Sequence, residues 1–289
     1  MRGAVEPSIV WHNGELRPLD DVAISPFDRG LTIGLGAFET LVAVDGEPFA
    51  FDRHWDRLVH SCRALGLAIP VGDAVAAGMR AVAAANGHGH GRLRVTVTAG
   101  PGPLGSDRDG VSQSTCLIVS APRPKWPPVA RVIILPWPRN ERSPLAGVKS
   151  TSYAENALAL AEARRHGADE ALFFNTAGRL CEGSGSNVFV VQDGILMTPP
   201  LEDGCLAGVT RSLVLELARE LGLQVREGPV TIESWTRLSE AFLTSTTREI
   251  QPIGRVDGRD LAAAPGPITE LLARAWRGRV FPVARGPVR

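Results

Sequence analysis

Apolar and polar residues alternate with a period of two in several short stretches of this chain, and recur every three to four residues in others. "PSIVWHNGELRPL" predicts two short strands about Asn13-Gly14, and "AFETLVAVDGEPFAF" repeats the pattern about Asp45-Gly46; both dipeptides suit hairpin turns. A helix is predicted from Asp52, with Trp55, Leu58, Val59, Cys62 and Leu65 on one stripe and Gly66 as its stop. An Ala-rich helix follows from about Asp73 to Asn86, and "RLRVTVTA" and "STCLIVSA" read as strands.

"APRPKWPPVA" then places prolines at 122, 124, 127 and 128, which neither continue a helix nor donate to a sheet ladder. Beyond it come a strand, "ARVIILP", and a helix over "STSYAENALALAEARRHG". Hairpins are predicted over "EALFFNTAGRL" and "SNVFVVQDGILMTP", and an amphipathic helix over "AGVTRSLVLELARELGL". The strand "EAFLTST" and the helix "PITELLARAW" complete the pattern. Mixed hairpins and helices predict an α+β fold of two domains, residues 1–121 and 129–289, joined by a Pro-rich linker at 122–128.

Composition narrows the function. A net charge of zero gives no footprint for nucleic acid or for an acidic membrane surface. No apolar run reaches the roughly 18 to 20 residues of a membrane span, and the first twenty residues lack a secretory signal. Four cysteines, at 62, 116, 181 and 205, show no metal or disulfide spacing, so reduced thiols, a cytoplasmic location and no metal site are expected. Gly100, Gly102 and Gly105 match GxGxxG after a strand, but prolines at 101 and 103 and no helical period over "SDRDGVSQS" argue against a dinucleotide turn.

The basic residues carry more information. Of 31 Lys and Arg residues only two are lysines, Lys125 and Lys149, leaving 29 arginines, and the single tyrosine, Tyr153, lies four residues after Lys149. Arginine replaces lysine wherever a charge suffices, but not where an amine must lose its proton and attack carbon. Lys125, in the linker, reads as a solvated charge. Lys149 is the candidate for amine chemistry with an aldehyde cofactor, which also requires a carboxylate partner and an anion cradle.

Each requirement has candidates with a bland alternative. Glu182, in "CEGSGSNVFVV", is either an exposed loop acid or a carboxylate turned toward a site. Gly208, Val209 and Thr210 open a helix, where Thr210 is either a plain cap or part of an anion cradle. Residues 244 to 247, "TSTT", supply four successive hydroxyls, and Arg57 is either solvated or an anion ligand. Together they supply what pyridoxal 5'-phosphate (PLP) needs.

In this order, "DRGLTIGLGAFET", "RHWDRL", "KSTSYAENALA", "EGSGSNVFVV", "AGVTR" and "FLTSTTREIQPI" resemble the fold-type IV PLP enzymes over about residues 8 to 260. That group includes branched-chain and D-amino-acid aminotransferases and 4-amino-4-deoxychorismate lyase. The resemblance implies a smaller N-terminal α/β domain, a larger C-terminal pseudo-barrel domain carrying the lysine, and a homodimer whose interface completes the site. It implies that Lys149 is the Schiff-base lysine, Glu182 the partner of the pyridine nitrogen and Tyr153 the donor to the ring's phenolic oxygen. Arg57, Val209, Thr210 and Thr246 would form the phosphate cup, and Thr247 would face the substrate carboxylate. Ile33 and Leu35 replace an aromatic and an acid common in the family, on the stretch bordering the substrate, a small-molecule amine.

The reaction is less determined. D-amino-acid aminotransferases use an Arg-x-His pair near "RLRVTVTAG", where Arg92 and Arg94 stand without the histidine. "RVTVTAGPGPLG" is closer to the lyases, with Arg94 a candidate substrate ligand, whereas "TSTTREIQPI" is closer to transaminases. The first expectation is the lyase, releasing pyruvate to give p-aminobenzoate for folate biosynthesis; the alternative is an aminotransferase for D- or branched-chain amino acids.

Overall fold

The computed structural model describes residues 9–107, 113–235 and 237–281, and two compact units emerge. One comprises Met1–Pro124 with Val148–Tyr153, and the other Lys125–Gly147 with Ala154–Arg289.

In the first unit the strands are β1 (Ile9–His12), β2 (Glu15–Pro18), β3 (Gly36–Val44), β4 (Glu47–Pro48), β5 (Arg92–Thr98) and β6 (Thr115–Ala121). They form a sheet ordered β2-β1-β6-β5-β3-β4, antiparallel throughout. Asn13-Gly14 and Asp45-Gly46 turn with positive φ at both residues, the geometry that matches strand twist in a two-residue hairpin. A short helix, α1 (Arg29–Thr32), precedes β3, and α2 (Phe51–Leu65) and α3 (Gly72–Ala85) cover one face of the sheet. Leu41, Leu58, Cys62, Met79, Val82, Leu93, Val95 and Ile118 share that core. Gly66 ends α2 at φ 61°, as its sequence position predicts.

The second unit contains β7 (Ala130–Ile134), β8 (Glu170–Phe174), β9 (Leu180–Gly183), β10 (Asn187–Gln192), β11 (Ile195–Thr198), β12 (Val225–Glu227), β13 (Glu240–Ser245), β14 (Glu249–Val256) and β15 (Arg259–Asp260). Their order is β12-β11-β10-β13-β14-β7-β8-β9, with β15 beside β14, and the sheet curls as a half-barrel. Its helices are α4 (Ala154–Arg165), α5 (Val209–Glu220), α6 (Ile232–Trp235) and α7 (Pro267–Val280). No regular element lies between Ala121 and Ala130, and Lys125 is exposed there.

Two differences from the sequence pattern matter. The helix expected from Ser150 starts at Ala154, and the lysine segment, expected in the second domain, packs with the first unit. The reason is backbone pairing: Phe38 N–H donates to the Lys149 carbonyl at 3.0 Å and Thr151 N–H to the Gly36 carbonyl at 2.8 Å. Ala37 and Ser150 thus form an antiparallel bridge, and the start of β3 takes Lys149–Thr151 as an extended neighbour. A strand edge with unpaired groups outweighs helix propensity there.

Among the described residues no helix is long and apolar enough to cross a membrane, and no His/Cys/Asp/Glu group is arranged to hold a metal. The four cysteines are free and buried. Burial pushes the Cys62 thiol up to about 11, and those of Cys116 and Cys205, with neighbouring acids or thiols adding, to about 12, so none is poised as a nucleophile.

Candidate active site

Strand alternation sorts β3 into two faces. Ala37, Leu41 and Ala43 enter the core beneath α2 and α3. Phe38, on the opposite face, carries the candidate chemistry. Lys149 Nζ lies 4.5 Å from the Phe38 ring centroid, and Tyr153 packs edge-on against the same ring at 5.3 Å. The Arg94 guanidinium sits 3.7 Å from that centroid, with its Nε donating to Thr96 Oγ1. The lysine, the tyrosine and one candidate substrate ligand therefore share one aromatic platform. Phe38 had no role assigned from sequence. The available signal was an aromatic in "AFET" directly after a core alanine, and so on the opposite face of the strand.

Backbone contacts position the lysine further: its N–H donates to Ser61 Oγ, on α2, at 3.1 Å. On the same helix Arg57, expected to be either solvated or an anion ligand, makes a two-point ion pair. Its Nε donates to Glu39 Oε1 at 2.7 Å and its Nη2 to Oε2 at 2.9 Å, while His54 Nδ1 lies 2.7 Å from Oε2. Burial alone would raise the Glu39 carboxyl, but the Arg57 charge and hydrogen bonds, with help from His54, hold it at about 2 against an ordinary 4.5. Because the folded value is depressed, the stabilisation is complete above pH 4.5 and is lost as pH falls toward 2. It is worth about 3 kcal/mol. Urea midpoints taken stepwise from pH 6 to pH 2.5 should show this pair contributing a loss of most of that amount in the wild type, and Glu39→Gln should lack the corresponding slope.

Leu35 packs against the core of the first unit, and its N–H donates to the Arg29 carbonyl at 3.0 Å. Asp28 caps α1 through Gly30 N–H at 2.8 Å and accepts from the Thr98 and Thr115 hydroxyls, so "DRG" ties this loop to β5 and β6. The glycines that mimic a dinucleotide turn answer to the same packing. A Cβ on Gly102 would fall 2.7 Å from Arg29 Cδ, and one on Gly100 only 1.7 Å from the Gln113 carbonyl. No helix follows them among the described residues; 108–112, within "SDRDGVSQS", lie outside these.

In the second unit Glu182 is not in a loop but on β9, opposite Phe173 of β8, and only 7% exposed. Its Oε1 accepts from Arg139 Nη1 at 2.6 Å and its Oε2 from Leu206 N–H at 3.0 Å. Both donors favour the ionised carboxylate. Arg139 is itself stacked on Phe173, 3.9 Å from the ring centroid, with Glu155 at 3.4 Å from Nη2. Arg139 is a residue that sequence reading missed, since nothing in "PWPRNE" separates it from the other arginines.

Asn187, at the start of β10, joins the remaining candidates. Its Nδ2 donates to the Leu206 carbonyl at 2.8 Å, holding the loop that enters α5, and across the sheet it pairs with Thr244. The start of α5 and the end of β13 are thereby brought together. Gly208, not Thr210, is the helix cap, and no side chain caps the terminus, so the plain-cap reading of Thr210 fails. A Cβ on Gly208 would lie 1.9 Å from Asn187 Oδ1, which only glycine avoids. Thr210 is buried in the first turn, and Thr246 and Thr247 form the tight turn between β13 and β14. An uncapped helix N-terminus beside successive hydroxyls suits an anion such as phosphate, and a buried, ionised carboxylate suits a protonated ring nitrogen. These residues fit PLP.

Comparison with known proteins agrees in family. A "Putative branched-chain-amino-acid aminotransferase" of Methanocaldococcus jannaschii is 34% identical over 262 residues, covering 86% of this chain and 88% of the relative. The crystal structure of the branched-chain aminotransferase from Thermoproteus uzoniensis with norvaline aligns at a TM-score of 0.88, 32% identity and 94% of each chain. That of Thermobaculum terrenum branched-chain amino acid aminotransferase in PLP-form aligns at 0.83 and 29%, covering 95% of this chain and 94% of that one. A putative 4-amino-4-deoxychorismate lyase from Legionella pneumophila is also similar, at 0.82 and 28%, covering 87% and 93%. The family model described as "Amino-transferase class IV" matches residues 36–256, and the chain belongs to that family.

Proposed function

We propose that this protein is a PLP-dependent aminotransferase acting on branched-chain amino acids. The observation that carries the reading is the likeness to branched-chain aminotransferases over nearly the whole chain, and it displaces the lyase as first choice. The cofactor is PLP. When bound, it supplies an aldehyde for the substrate amine and a ring that accepts the electrons left when the α-proton departs.

Lys149 Nζ is the group that takes the α-proton and returns it, which an arginine at this position could not do. Tyr153 would donate to the cofactor's phenolic oxygen, and Glu182 would hold a proton on the pyridine nitrogen. Arg57, the Val209 and Thr210 amides and Thr246 would bind phosphate, while the Thr247 amide and Arg94 would face the substrate; Leu35, packed against the core, would at most border it. A homodimer is part of the same reading.

Amino transfer from L-leucine should exceed that from D-alanine, with little p-aminobenzoate formed from aminodeoxychorismate. Release of pyruvate and p-aminobenzoate without transfer from L-leucine would return the lyase to first place.

A further inference from the structure

One charged group in the first unit has no part in the chemistry above. Glu39 is 1% exposed and His54 3%, and both bond within a cluster that also holds Arg57. Burying a carboxylate costs several kcal/mol unless close donors offset it, so a residue chosen only for packing at this position would be apolar. The period of α2 puts His54, Arg57 and Ser61 on one side of the helix, and the period of β3 turns Glu39 toward them. Two bonds from one carboxylate to Nε and Nη2 fix both the direction and the rotation of a guanidinium plane. A carboxylate only accepts, so His54 Nδ1 carries the proton in that contact, and burial keeps the ring neutral by lowering its pKa. His54 thus holds Glu39 without adding charge.

We propose that Glu39, braced by His54, is a positioning residue that orients the Arg57 guanidinium toward the cofactor phosphate. The inference rests on the phosphate role of Arg57 proposed above. It explains why a carboxylate is kept in the core beside a helix whose other inward residues are Leu58, Cys62 and Leu65. Glutamine at position 39 would retain one acceptor but set its amide donor against an Arg57 donor, freeing the guanidinium to rotate.

The test compares PLP with pyridoxal, which has the same ring and aldehyde but no phosphate. Both are titrated into apoprotein prepared from the holoenzyme, for the wild type, Glu39→Gln, Arg57→Gln and the double variant. Glu39→Gln should weaken PLP binding by about tenfold and pyridoxal binding by less than about twofold. In the Arg57→Gln background it should add nothing. Equal weakening of both ligands, or of neither, would overturn the proposal. If Arg57→Gln leaves the preference for PLP over pyridoxal unchanged, the phosphate role of Arg57 falls first. Should Glu39→Gln fail to fold, Glu39→Asp keeps the charge opposite the buried guanidinium but cannot reach both nitrogens. A selective loss of about threefold is then expected, and its absence is equally fatal.

Discussion

Replacing Lys149 with alanine is expected to lower amino transfer by about 10⁴-fold or more, because the group that moves the α-proton is gone. The fold should survive. Lys149 is tied to its surroundings through its backbone, by Ser61 Oγ at 3.1 Å and Phe38 N–H at 3.0 Å, and both bonds outlast truncation. What disappears is the ammonium over the Phe38 ring, worth about 0.5–1 kcal/mol where partly exposed. Lys149→Arg restores that charge but should be as inactive as the alanine variant, since guanidinium keeps its proton. Thermal melts and turnover on the same preparations separate the two effects. Borohydride treatment followed by peptide mass mapping should label the Lys149 peptide in the wild type and no peptide in either variant. Turnover near wild type in Lys149→Ala would sink the assignment.

Glu182 offers the second large effect, and here stability and activity respond to different substitutions. Glu182→Ala removes the 2.6 Å partner of a guanidinium whose side chain is only 13% exposed. Arg139 would keep Glu155 at 3.4 Å, an ion pair without a hydrogen bond, and that acid is half exposed. Losing the hydrogen-bonded partner of a buried guanidinium costs about 3 kcal/mol, which should lower Tm by several degrees. Glu182→Gln is nearly isosteric and keeps an oxygen for either Leu206 N–H or Arg139, so it should fold with a smaller loss. It removes the negative charge, however, and turnover should fall by about 10²–10³-fold. A glutamine variant with wild-type turnover would exclude Glu182 as the charge that the cofactor ring requires.

Several elements were legible without coordinates because their causes are local. The hairpins at Asn13-Gly14, Asp45-Gly46 and Asp193-Gly194 follow from the few residues that accept positive φ, and each of these six has it. α2, α3, α5 and α7 follow from apolar spacing and from stops such as Gly66. The scarcity of lysine singled out Lys149 for a chemical reason, that an amine deprotonates and a guanidinium does not.

What the sequence determined by itself was therefore the main hairpins and the longer helices, the family, and the candidate groups for special chemistry; α1, α6, β12, β14 and β15 had no legible pattern. Only the tertiary structure decided which of them meet. Lys149 packs beside β3 and not in a helix because an open strand edge competed for its backbone. Glu182 lies buried on β9 because strand pairing carried "LCEG" into the sheet, where Arg139, 43 residues away in the chain, supplies the counter-charge. Phe38 and Glu39 are adjacent in sequence, yet the pleat sends one under the lysine and the other to Arg57. Periodicity tells which side of its own element a residue occupies; the partner on that side is set by long-range pairing, which no local pattern encodes.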